Sequence, residues 1–248
     1  MRSCPGGVIV ACCVALPMPS LRQLLAAHPV LLVVDTCATL SEAALWQNAS
    51  RSTGHLPAAF HAAMEGEAAH ALPQVVAQVM AAARLEIAQL DAVAFCAGPG
   101  SVLGIRLAAA SVRIWRVARP GLAVYSYLSL PLLATSAAAA GASVIADARR
   151  ESWHVVRRDK QSIERIPSAA LANAGPLVTP ATFRRWSLPP AQNPPADLAY
   201  QPAELLAASP DADLFTPAPD PDAFVHEQPS YVTWTPQVHQ APLATPTA

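Results

Sequence analysis

The sequence predicts an α/β layered fold, and three observations carry that expectation. Short apolar runs recur at residues 30–34 (VLLVV), 91–96 (DAVAFC) and 122–127 (LAVYSY), each the length of a buried strand. Segments of helical period lie between them. Of the 248 residues 53% are hydrophobic and only 13% charged, enough apolar material for one or two sizeable cores. Strands alternating with helices imply a layered architecture.

The elements follow in order. Met18 opens PSLRQLLAAHP, a short helix before the first strand. The run 30–34 ends in Asp35, Thr36 and Cys37, and a second strand through residues 42–46 (EAALW) makes a hairpin whose loop carries Asp35 and Thr36. Leu72, Val75, Val76, Val79, Met80 and Ala83 recur at i, i+3, i+4, i+7 spacing, so a helix is expected there with Pro73 in its first turns, where a missing N–H costs little. After the strand at 91–96 a helix should run from about 102 to 118, its apolar face Ile105, Ala108, Ala109, Val112 and Trp115, with Arg106 and Arg113 sharing another face. Pro120 and Gly121 stop it. The run SLPLLATSAAAAG, from residue 129 on, reads as a helix with a glycine end, and residues 142–158 as a hairpin turning near 148–151. Just over half of the 25 prolines fall from Pro189 onward, so the chain up to about Asp222 should be irregular with a small core.

Charge and cysteine usage bound the function. A net charge of -1 supplies no overall field for unaided nucleic-acid binding. Five cysteines (Cys4, Cys12, Cys13, Cys37 and Cys96) with no C-x-x-C pair argue against a disulfide framework and a zinc ribbon, and suit a reducing, cytoplasmic setting. Arg2 and the apolar run 8–16 have the outline of a secretory signal, but the weak charge and Pro17 favour a start near Met18 instead. No apolar run reaches the roughly 20 residues that span a bilayer, so no membrane partner is expected.

Gly98-Pro99-Gly100-Ser101 sits between a strand and a helix, where phosphate loops sit. The P-loop pattern needs a lysine, and Gly104 is followed by Ile105 and Arg106 instead. The dinucleotide fingerprint is missed by one residue, and no acidic residue ends the next strand. What remains is a capped turn. Ser101 accepts from the first helical turn and Pro99 fixes a turn torsion, although the same N–H groups could draw an anion. The structural reading is the stronger. The seven histidines (His28, His55, His61, His70, His154, His226 and His239) form no H-x-x-x-H pair, and His55 and His61, six apart, would face opposite sides of a helix, so no metal is expected. No Ser-His-Asp spacing suggests proteolysis. The arginine pairs Arg149-Arg150, Arg157-Arg158 and Arg184-Arg185 read as solvated turns, and Trp46, Trp115 and Trp153 as core.

Taken together, VLLVVDTCATLSEAALW, ALPQVVAQVM, DAVAFCAGPGSVLGIRLAAA, LAVYSYLSLPLLA and VIADARRESWHVV resemble, in order and spacing, the bacterial TsaB family, also called YeaZ. The likeness covers roughly residues 30–157, and faintly PSYV at 229–232. Asp35, Thr36, Gly98, Pro99, Gly100, Ser101, Gly104, Arg106, Asp147, Ala148 and Arg149 are the matching motif positions.

The resemblance implies an actin-like ATPase (ASKHA) fold of two related lobes, the second smaller and degenerate. The expected boundaries are an N-terminal extension at 1–29, absent from the working protein or disordered, a first lobe at 30–138 and a second at 139–248. It also implies a non-catalytic partner of a TsaD-type enzyme in forming threonylcarbamoyladenosine at position 37 of tRNA. A TsaE-type ATPase completes the set, with tRNA held only through the complex. No cofactor of the chain's own is expected; an ATP or ADP shared at the interface and a homodimer without the partner are left open. The expected docking helices lie near 65–84 and 102–118, with Val75, Val76, Val79, Ala83, Ala108, Ala109 and Val112 at the interface and with Ala81, Ala82 and Ala110 letting helices approach.

Departures from the family pattern are Val102-Leu103 in place of Phe-Thr, Glu67 where a histidine is usual, Glu151 and Ser152 where glycine and glutamate are preferred, and Thr233 in place of a closing arginine. The competing reading is an ATP-dependent phosphotransferase-like enzyme of the same fold using Asp35 or Asp147 as general base.

Overall fold

The computed structural model describes residues 18–47, 59–157, 162–189 and 191–223. The expectations for residues 1–17, His55, Arg158, His226, the PSYV segment, Thr233 and His239 lie outside them. Helix α1 (Leu21–Ala27) is closed by a capping box between Ser20 and Gln23, and it buries Leu21, Leu24 and Leu25. Strand β1 (Val30–Asp35) turns back into β2 (Leu40–Gln47), which turns into β3 (Phe60–Glu65). Helix α2 (Ala68–Ala83) then leads to β4 (Ala92–Gly98), parallel to β1 with Val34 opposite Phe95. Helix α3 (Val102–Ala118) leads to β5 (Ala123–Leu128), parallel to β4.

Helix α4 (Ser129–Ala134) carries the chain to the second sheet. There β6 (Ser143–Asp147), β7 (Ser152–Val156) and β8 (Ile163–Pro167) form a meander. A single 3-10 segment, Ser168–Asn173, returns the chain to β9 (Leu177–Pro180), parallel to β6. Next come β10 (Ala196–Leu198), α5 (Pro202–Ala208) and β11 (Thr216–Pro217), the last closing the edge of the first sheet against β5. The sheet orders are β11-β5-β4-β1-β2-β3 and β10-β9-β6-β7-β8.

Each half repeats one plan. Three antiparallel strands are followed by a helical crossover and a fourth strand parallel to the first. In the second half the crossover has shrunk from the 16-residue α2 to the six-residue 3-10 segment. Its outer core is correspondingly thin, built on Ile145, Trp153, Val155, Leu171 and Leu177.

Alternation along β1 divides the first core. Leu32 and Val34 face α2 and α3, while Leu31 and Val33 face a cluster shared with α1, α4, α5 and Val144, Ala146 and Val178 of the second sheet. The two sheets therefore share one apolar interior. Burying a leucine contributes about 1.5 to 3 kcal/mol, so α1 with three buried leucines is tied firmly to the body.

Three expectations need correction. Helix α2 begins a turn early, at Ala68, which puts Pro73 in its second turn, where the Ala69 carbonyl loses its intrahelical donor. Residues 60–65 form the strand β3, and His61 therefore sits on a sheet, its Nε2 3.0 Å from Glu42 Oε2 across β2. The proposed interface side chains face inward. Val75, Val76, Val79, Ala108, Ala109 and Val112 are all buried against the first sheet, and Ala83 is half-buried beside them. The hydrophobic period correctly located the helices, but it marks the stripe that meets the sheet.

Candidate functional site

The motif positions converge at the carboxyl ends of the parallel strands. Asp35 ends β1, Gly98 ends β4, Asp147 ends β6 and Pro180 ends β9. Backbone bonds join the loops there: Ser101 N–H donates to the Cys37 carbonyl at 2.8 Å and Thr39 N–H to the Thr182 carbonyl at 3.0 Å. The Ser129 hydroxyl donates to the Pro99 carbonyl at 2.6 Å.

Close backbone contact explains two of the glycines. A Cβ on Gly100 would stand 2.4 Å from the Cys37 carbonyl oxygen, and one on Gly104 2.2 Å from that of Thr36. Both distances are forbidden to any side chain. Gly100 also has a φ of +156°. Ser101 caps α3 as expected, its hydroxyl accepting from Gly104 N–H at 3.4 Å. The glycine loop thus seats α3 on the turn after β1.

Asp35 lies deeper than a reacting group would. It is 2% exposed, and both its oxygens are engaged. Oδ1 accepts from Cys37 N–H at 2.8 Å, and Oδ2 from the hydroxyls of Tyr127 and Tyr200, each at 2.8 Å. The Cys37 and Cys96 thiols flank Tyr200 at 3.7 and 3.9 Å. Burial pushes both thiols and both phenols up from their ordinary pKa values, so all four remain protonated. The carboxylate and the two sulfurs lie within 4.8 Å of one another, a spacing that metal sites also use. Here the carboxylate is saturated by three donors and the thiols hold their protons, which describes a sealed polar cluster more than a vacant donor set. Thr36 Oγ1, buried beside it, has no hydrogen-bond partner among the described residues. Neither tyrosine was singled out by motif; Tyr127 lies near the end of β5 and Tyr200 just after β10.

Asp147 plays a different part. Burial raises its pKa, but hydrogen bonds from the N–H groups of Ser187, Arg149 and Trp186 and from the Ser187 hydroxyl outweigh that and hold it below the usual carboxylate range. A carboxylate so stabilised is a weak proton acceptor. Arg106 is exposed on α3. Trp46 and Trp153 are fully buried, whereas Trp115 is only partly so.

Sequence reading missed the outer face of α3. Leu103, Leu107, Ala110, Ile114 and Val117 follow 4-3-4-3 spacing, so they form a second apolar stripe opposite the buried one. Leu103 is 80%, Ile114 67% and Val117 83% exposed. On the neighbouring α2, Ala77, Ala81 and Ala82 are exposed too. Among the described residues no helix is long and apolar enough to cross a membrane.

Residues 63–179 match the model of the TsaD family, described as tRNA N6-adenosine threonylcarbamoyltransferase. Two solved structures from Pseudomonas aeruginosa share the fold. YeaZ is 22% identical with a TM-score of 0.54, covering 79% of this chain and 99% of that one. A second, an uncharacterized protein with similarity to peptidase YEAZ, is 20% identical with a TM-score of 0.51, covering 73% and 89%. No curated protein matches. The paired half-plans and the strand-end loops agree with these matches: the chain has the fold of the YeaZ structures, and its residues 63–179 are similar to the TsaD family, whose domain has the actin-like ATPase fold.

Proposed function

We propose that the chain is the non-catalytic partner of a TsaD-type threonylcarbamoyltransferase, acting in the formation of threonylcarbamoyladenosine on tRNA. One observation carries the reading: α3 is apolar on two opposite faces, and only one of them is covered among the described residues. Water-exposed leucine, isoleucine and valine at heptad spacing belong to a helix that meets another helix. The small side chains of Ala77, Ala81, Ala82 and Ala110 beside the stripe would let that helix approach closely. The docking contact is therefore Leu103, Leu107, Ala110, Ile114 and Val117, while the inward valines hold α2 and α3 in place. Asp35 and Asp147, the candidate general bases of the phosphotransferase reading, are both spent on hydrogen bonds inside the fold, which supports the partner role. On this reading residues 30–138 form the docking lobe and residues 139–248 the second, the complex is cytoplasmic, a TsaE-type ATPase joins it, and any ATP or ADP is shared at its interfaces.

Size-exclusion chromatography of the chain mixed with a purified TsaD-type subunit tests this. The wild-type pair should elute as one peak, and Ile114→Glu with Val117→Glu should separate it. A wild-type mixture that elutes as two proteins removes the proposal, and so does a stripe that binds only a second copy of this chain.

A further inference from the structure

The carboxyl end of the second sheet gathers cationic and aromatic side chains that docking through α3 does not use. Asp147 accepts hydrogen bonds from Arg149 N–H on its own turn and from Trp186 and Ser187 on the segment after β9, so it clamps the two together. The clamp sets the Arg149 guanidinium over the Trp186 indole, 5.5 Å from the ring centroid. The residue is nevertheless 65% exposed. Arg150 and Arg184 are exposed beside this pair and make no ion pair among the described residues. Arg165 donates to the Ala148 carbonyl at 3.3 Å and brings a further guanidinium under the turn. Against these stand Glu151, the clamped Asp147, and Asp197, which pairs with Arg185. Five guanidinium groups face three carboxylates, in a chain whose overall charge is -1.

The turn that presents them is strained. Arg149, Arg150 and Glu151 have φ values of 62°, 50° and 53°, three consecutive side chains in the left-handed region. Such conformations cost energy and collect at segments that hold ligands. The position is also apt, because the Thr39 to Thr182 bond joins this segment to the turn after β1, and the Ser101 to Cys37 bond joins that turn to the loop after β4, at the end of an α/β sheet where ligands gather.

We propose that this patch binds an unpaired RNA strand, with phosphates on Arg150 and Arg184 and a base stacked on Trp186. The inference rests on the tRNA-modification reading only for which RNA is bound. The surface supplies the chemistry: spaced cations track a sugar-phosphate backbone while an exposed indole takes a base face. A duplex buries its base faces, and an acidic peptide has none to offer.

The test is fluorescence anisotropy of the full chain alone with a labelled single-stranded RNA of about 12 nucleotides, between about 50 and about 200 mM salt. Binding should weaken with salt. Arg150→Glu with Arg184→Glu should weaken it about tenfold or more and flatten the logarithmic salt slope by about 1.4, the share of two phosphate contacts on a single strand. Trp186→Ala should weaken it about fivefold or more with the slope unchanged, and Trp186→Phe should restore most of the loss. No binding by the wild type at low salt, or variants that bind as the wild type does, overturns the proposal. So does displacement of the RNA by an equal concentration of ADP, or equally tight binding of polyglutamate. Running the arginine variant with the TsaD-type subunit separates the two readings. A retained joint peak with lost RNA binding supports both. RNA binding by a wild-type chain that does not co-elute leaves the patch standing and sinks the partner role.

Discussion

Changing Asp35→Asn should destabilise the chain by roughly 2 to 3 kcal/mol, hydrogen bonds to a charged group contributing about 1.5 to 3 kcal/mol each. The carboxylate is 2% exposed and accepts three bonds at 2.8 Å, one on Oδ1 and two on Oδ2. Asparagine offers a single oxygen. If that oxygen faces the tyrosines, its NH₂ opposes the Cys37 N–H; if it faces Cys37, the NH₂ opposes two hydroxyls. Either way at least one buried donor loses its acceptor, and removing the buried charge recovers only part of the loss. Urea unfolding followed by tryptophan fluorescence reads this directly, since Trp46 and Trp153 are fully buried. With an m-value near 3 kcal/mol/M the midpoint should fall by about 1 M. Tyr200→Phe should cost less, and the double variant less than the two losses added. A catalytic carboxylate behaves oppositely, because freeing a site of a functional charge commonly stabilises. A midpoint unchanged or raised in Asp35→Asn would refute the structural role assigned to this residue.

Other outcomes follow from the same geometry. Gly104→Ala should cost about 3 kcal/mol or more and lower the melting temperature sharply, since its Cβ would stand 2.2 Å from the Thr36 carbonyl oxygen. Burial raises the Glu42 pKa to about 7, partly offset by the His61 hydrogen bond and reinforced by the charges of Asp35 and Glu204. The fold therefore prefers Glu42 protonated, so its stabilising contribution is complete below the unfolded value near 4.5 and is lost as pH rises toward 7, by up to about 3 kcal/mol. Glu42→Gln should flatten urea midpoints across that window, and an unaltered pH profile would count against the assignment. Ile114→Glu and Val117→Glu should leave the unfolding free energy within about 0.5 kcal/mol of wild type, because both side chains are largely exposed.

Much of the fold was legible because it rests on local periodicity. The apolar runs at 30–34 and 122–127 became β1 and β5, residues 143–156 of the expected hairpin became β6 and β7, and Ser101 capped α3. Residues 60–65 escaped notice because FHAAME lies on an edge strand and its alternation, Phe60, Ala62 and Met64 half-buried against exposed His61, Ala63 and Glu65, is blunted in sequence by alanine on both faces. The site was legible by position but not by orientation. Periodicity marks an apolar stripe without saying what covers it, so the valines of α2 read as a docking surface when they pack on the sheet. The outer stripe of α3 was hidden in the helix's general apolarity, because Leu107, Ala110 and Ile114 lie between residues already assigned to the core. Asp147 and Trp186 stand 39 residues apart, and only the packing of β6 beside β9 brings them together.

The most direct measurement is threonylcarbamoyl transfer to a tRNA transcript by a TsaD-type subunit, with its ATPase partner, in the presence and absence of this chain. The account predicts that the wild-type chain raises the yield, that Ile114→Glu with Val117→Glu does not, and that the chain by itself transfers nothing. Transfer by the isolated chain, or full support from the variant whose outer α3 face carries two new charges, would contradict it.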